Sequence, residues 1–177
     1  MIWNPLVTNA KRILYNLLKL VVAAAQKETQ MSIASSSAAR HICARGNWGV
    51  TNLALQKILY MAQMVHLGRT GQRLVNAEFQ AWDYGPVEPT LYRQVRNFGN
   101  KPIQDVFFWA PPIVGTQEAD TLDEACNFLI QKTPGELVAM THWQNGAWAR
   151  HYVPGARGIP IPDADIIAEY RARIGSA

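Results

Sequence analysis

A mainly α-helical, single compact domain with a few short strands near one aromatic corner is the fold class this sequence predicts, and three observations predict it. Apolar residues recur at helical spacing through most of the chain, most clearly at Leu55, Ile58, Leu59, Ala62 and Val65. Helix caps are spelled out repeatedly, as in Thr133-Pro134 followed by Glu136. Only Phe79 to Tyr92 (FQAWDYGPVEPTLY) departs from this pattern, with a tryptophan, two tyrosines, a glycine and two prolines crowded together.

In chain order, residues 1–31 differ from the rest. Lys11-Arg12 precede ILYNLLKLVVAAAQ, which imitates the basic start, apolar core and small-residue end of a signal peptide. Asn16 and Lys19 interrupt the apolar run, which is also too short and polar to span a bilayer. Ile13, Leu14, Leu17, Leu18, Val21 and Val22 keep helical spacing. The expectation is an N-terminal extension over 1–31, either an amphipathic helix or an over-long start, with the domain over 32–177.

Ala34, Ala38 and Ile42, with Ala39 and Cys43, line one face of a helix that Gly46 stops. Thr51 caps the next helix, whose apolar stripe Gly68 closes. Gln56, Lys57 and Tyr60 flank that stripe and are free to reach a partner or a neighbouring loop. Gln72 to Trp82 alternates loosely, predicting one or two short strands. Gly85 before Pro86 must be extended or turning. Glu88 then caps a helix with Pro89 in its first turn, Val87 and Tyr92 at the ends of a hydrophobic staple, and Leu91, Val95 and Phe98 inward before Gly99. Lys101 to Gly115 is a connector with room for one strand. Thr121 and Glu124 predict a helix from Leu122 to Lys132, and Thr133 with Glu136 one from Gly135 to Trp143. Asn145-Gly146 marks a turn, and Asp163 caps a last helix with Ile166, Ile167, Tyr170 and Ile174 on its apolar side.

Composition narrows the function. A chain of 177 residues that is 49% hydrophobic and 17% charged has the make-up of a globular protein. Its formal charge of +4 is mostly the +3 of residues 1–31, leaving +1 elsewhere, which disfavours nucleic acid as a partner. Cys43 and Cys126 form no disulfide framework or CxxC motif, and free buried cysteines fit a reducing cytoplasm. His41, His66, His142 and His151 lack metal-ligand spacing, so no metal is expected. Phosphate-binding glycine loops and nucleophile elbows are missing, so neither a cofactor nor an enzymatic activity is expected.

Three segments in order, LQKILYMAQ at Leu55 to Gln63, then FQAWDYGPVEPTLY, then THWQNGAW at Thr141 to Trp148, resemble the signatures of the Panacea domain, the SocA-like antitoxin domain of phage-associated proteins. The resemblance covers roughly Ser32 to Tyr170, and its middle motif is the specific one. The turn at Gln144 to Ala147 lacks the proline often found before the tryptophan. What the resemblance implies is a helical, cytoplasmic antitoxin of a bacterial or prophage toxin–antitoxin system, similar to type II, that neutralises a protein toxin from an adjacent gene by direct contact. It needs no membrane. Its motif positions here are Gln56, Lys57, Tyr60, Trp82, Tyr84, Gly85, Pro86, Val87, Tyr92, Thr141, His142 and Trp148, as fold-signature or partner-binding residues. Corner-holding is the expected role of the aromatic and Gly-Pro positions among them. The alternatives are a phage-associated structural protein and a DNA-binding regulator, the latter using Arg40, Arg45, Lys57, Arg69 and Arg73.

Overall fold

The computed structural model describes residues 12, 15–19 and 32–175. The chain falls into two units, Met1–Met31 and Ser32–Ala177. In the first, residues 15–19 are helical, whereas Ile13, Leu14, Val21 and Val22 of the expected amphipathic helix lie outside the described residues. The second unit is mainly α-helical with one small sheet.

Helix α1 (Ser35–Arg45) ends at Gly46 and buries Ala38, Ala39, Ile42 and Cys43. Helix α2 (Asn52–Thr70) starts at the Thr51 cap, whose hydroxyl accepts from the Ala54 N–H. It runs past Gly68 and stops at Gly71, which is left-handed. Gly68 has another purpose: a Cβ there would come within 2.1 Å of the Tyr170 ring, so the missing side chain lets the last helix lie against α2.

Strands β1 (Phe79–Trp82) and β2 (Gly85–Val87) form an antiparallel hairpin with Trp82 opposite Gly85 and Gln80 opposite Val87. Strand β3 (Pro160–Ile161), which the sequence pattern did not predict, pairs antiparallel with the other edge of β1. Helix α3 (Pro89–Val95) follows, and a 3-10 turn, Arg96–Phe98, leads to Gly99. The Glu88 carboxylate caps α3 by accepting from Thr90 N–H at 2.9 Å and Leu91 N–H at 2.5 Å. The connector forms no strand; Pro102 makes only an isolated bridge with Thr51.

Helix α4 (Gln117–Leu129) begins a turn and a half before the expected site because Thr116, not Thr121, is its cap. Glu118 and Asp120 in its first turn complement the positive end of the helix. Thr121 sits inside it, donating to the Gln117 carbonyl at 2.8 Å. Helix α5 (Pro134–Thr141) opens with the predicted Thr133–Glu136 capping box but stops before Trp143. A turn at Gln144-Asn145 leads to α6 (Ala147–His151), which the sequence pattern did not announce. The predicted last helix is α7 (Asp163–Gly175), in which Ile166 is buried as expected, but Asp163 is its first residue and pairs with Arg73, and Ile174 is exposed.

Helix α2 is the centre. Helices α1, α4, α5 and α7 and strand β2 all pack on it, so it is covered on more sides than its apolar stripe requires. Leu55, Ile58, Leu59 and Ala62 are buried as expected, but Gln56, Lys57 and Tyr60, expected to be free beside the stripe, are buried as well, with Gln63 and His66, because elements pack on those faces too. The core also includes both cysteines, free and buried, and burial pushes each thiol up to about 12.

Candidate functional site

The hairpin corner is locked from beneath by α2. Asp83 and Tyr84 make the turn, and Gly85 follows with φ of 96°. A Cβ at position 85 would lie 2.8 Å from both Lys57 Nζ and Thr141 Oγ1, so conformation and space both demand glycine. Lys57 Nζ donates to the Pro86 carbonyl at 2.9 Å, and Gln56 Oε1 accepts from the Glu88 N–H at 2.8 Å. One turn of α2 thus holds both ends of the Pro86–Glu88 segment, and Glu88 in turn starts α3. With Lys57 1% exposed and no carboxylate beside it, burial pushes its ammonium down to about 7. Thr141 closes the pocket over Gly85 and satisfies its hydroxyl on the Leu137 and Val138 carbonyls, each at 3.1 Å.

An aromatic stack lies alongside. Trp148 Nε1 donates to the Trp82 carbonyl at 2.9 Å, tying α6 to β1. The His142 ring stacks on Trp148 at 3.7 Å and 8°, and Tyr152 follows on Trp148 at 4.5 Å. Burial, and then the charge of Lys57, hold the His142 imidazole below its usual pKa. Tyr60 points elsewhere, donating to Glu169 Oε2 at 2.9 Å. Glu169, 1% exposed, also accepts from the Ala147 N–H at 2.8 Å and from Arg173 at 2.6 Å. No sequence motif marks Glu169, because nothing local shows that an acid in α7 will meet α2 and α6.

Beside the corner opens a cleft of about 290 Å³. Trp82, Tyr84, Val87 and Tyr92 supply its aromatic and apolar wall, and Gln56 and Lys57 belong to its lining as well. The Trp82 and Tyr92 rings meet edge to face with centres 4.9 Å apart, while the Arg157 guanidinium lies 4.7 Å from the centre of the Trp82 ring. Tyr84, at the hairpin tip, is 71% exposed. The structure adds Asn52, Arg96 and Arg157, which come from the start of α2, the turn after α3 and the loop before β3. These residues belong to no motif, and only the fold gathers them. Two of the lining groups, Gln56 Nε2 and Asn52 Oδ1, are buried without a protein partner.

The cations considered for DNA contact are otherwise engaged. Arg45 pairs with Asp123, Arg69 with Glu124 and Arg73 with Asp163. Arg40 donates to the Ala110 carbonyl, and Lys57 is buried. Among the described residues no helix is long and apolar enough to cross a membrane, and no group of three His, Cys, Asp or Glu side chains is placed to hold a metal ion.

These features define a mainly α protein organised around one hairpin corner, in which motif residues from distant segments meet on a central helix. The chain belongs to the SocA-like antitoxin family, whose model, described as antitoxin SocA-like, Panacea domain, matches residues 55–149. It is also similar to antitoxin SocA of Caulobacter vibrioides, 33% identical over 109 residues, which is 56% of this chain and 58% of that relative. The chain therefore spans a little over half the length of the curated relative it matches. No solved structure matches it.

Proposed function

We propose that this chain is the antitoxin of a toxin–antitoxin pair and that it neutralises a cognate protein toxin, encoded by an adjacent gene, by binding it directly. The family match over residues 55–149 carries the reading, since it runs through all three motifs. The exposed apolar side chains support it: Tyr84 at the hairpin tip, and Phe108, Trp109 and Val114 in the connector, offer the aromatic and aliphatic contact area that protein interfaces use. In this reading the buried motif residues hold the corner, and the side chains around it choose the partner. Co-expression with the neighbouring gene product tests it. Restored growth and a stable complex on size exclusion are expected; growth that stays blocked at matched expression, with no complex, rejects the proposal.

A further inference from the structure

Two residues that line the cleft beside the hairpin carry a buried polar atom without a protein partner. Gln56 Oε1 is committed to the Glu88 N–H, which leaves its Nε2 buried with two unused donors. Asn52 Oδ1 is a buried acceptor, also unused. Native proteins seldom leave buried polar atoms unpaired, and both of these belong to residues that line the cleft. Asn52 and Leu53 form the first turn of the 19-residue α2, where backbone N–H groups carry the positive end of the helix dipole.

The charges agree with the donors. Arg45, Arg69, Arg73, Arg150 and Arg173 each pair with a carboxylate. Arg96 and Arg157, both on the cleft and both exposed, have no such partner among the described residues. The one carboxylate in the lining, Asp83, already accepts from the Tyr152 hydroxyl and the Gly155 N–H. Arg157 lies over the Trp82 ring, which restrains its planar fork before any ligand arrives. A site of this kind selects an anion, and guanidinium forks match carboxylates well.

The apolar wall narrows the choice further. Phosphate is polar on every side and has nothing to set against Leu53, Val87 and Tyr92. A polypeptide carboxylate brings amide N–H donors with it, and its neighbouring side chain has Leu53, Val87 and Tyr92 to lie against. We infer that the cleft between the start of α2, the hairpin and Arg157 captures a carboxylate of the partner polypeptide, set beside an apolar residue. This rests on the antitoxin reading for the identity of the partner. The carboxylate comes from a chain end or from an internal acidic side chain, and both present the same chemistry to the cleft.

Two arms test it with the full chain. In the first, acetyl-Leu-Phe with a free C-terminus, acetyl-Glu-Phe-amide, acetyl-Leu-Phe-amide and inorganic phosphate are titrated while the Trp82 indole N–H and the arginine Nε–H signals are followed by NMR. Saturable shifts with the free-terminus peptide, or with the glutamyl amide, are expected and tell the two sources apart. Silence of both carboxylate peptides, equal binding of the neutral amide, or binding of phosphate alone overturns the inference. In the second arm, affinity for the toxin is measured for wild type and for the Arg96→Gln/Arg157→Gln double variant, both exposed positions whose change leaves the core intact. A loss of about tenfold or more is expected for two charge-assisted contacts. Affinity within about twofold of wild type sinks the cleft while leaving the antitoxin reading standing. Absence of any wild-type complex sinks the antitoxin reading instead, and the peptide titration still decides whether the cleft takes a carboxylate.

Discussion

Lys57 shows how far a residue's role depends on what covers it. From its position beside the apolar stripe it is a side chain free to leave the helix; in the fold it is buried under the hairpin with its ammonium on the Pro86 carbonyl. Burial lowers its pKa from 10.5 to about 7. Between those values the unfolded chain binds the proton and the folded chain does not. Lys57 therefore makes stability rise with pH across that window, by on the order of 5 kcal/mol in full, and the gain is lost as pH falls to 7. The buried thiols and Tyr60 act oppositely at high pH, since their folded pKa values are raised. Comparing wild type with Lys57→Met by urea unfolding at pH 7, 8 and 9 cancels those groups. The difference between the two proteins should drift steadily in favour of wild type as pH rises, and a constant difference would show that Lys57 keeps its proton in the fold.

Elements are joined here by close approach and by one buried acid. At Gly68 the last helix sits where a side chain would be. Gly68→Ala should cost about 1–3 kcal/mol by overpacking against Tyr170. In a Tyr170→Ala background the same change should instead stabilise by about 0.5–1 kcal/mol, because alanine is then free to express its helix propensity. Unfolding of the four proteins of that cycle checks the reversal of sign. Glu169 joins α2, α6 and α7 through Tyr60, the Ala147 N–H and Arg173. Removing it strands two buried donors and leaves half-buried Arg173 with only the Met140 carbonyl and the Trp143 ring, so Glu169→Ala should destabilise by about 3–5 kcal/mol. A loss below about 1 kcal/mol in a denaturant titration would mean that water replaces the carboxylate without penalty.

For the whole molecule the open test is the unit boundary. The core of the second unit is drawn from Ala38 to Ile166, and its motifs all lie beyond residue 31. A chain beginning at Met31 is expected to keep its Tm within about 3 °C, the scale of a sub-kcal/mol change for a domain of this size, and to keep neutralising the toxin. A fall of about 10 °C or more would show that residues 1–31 belong to the fold. Lost neutralisation at unchanged Tm would make the extension a binding arm.

Local chemistry by itself determined the helix starts at Thr51, Glu88 and Thr133, the non-helical backbone at Gly85-Pro86 that leads into α3 and the stripe that buries α2, because caps, turn residues and periodicity act within a few residues. It misplaced the start of α4, where two threonines compete as caps within six residues and only packing shows that Thr121 lies inside the helix. Strand β3 was beyond its reach, since a two-residue strand exists only through its pairing with Phe79 and Gln80. The motif residues were legible, but their division was not. Gln56 and Lys57 fall under the hairpin because α2 is enclosed on several sides, while Tyr84 stands clear at the tip. Asn52, Arg96 and Arg157 are ordinary residues in sequence and become one cleft only in space. Long-range contact decided that, and no spacing along a single chain encodes it.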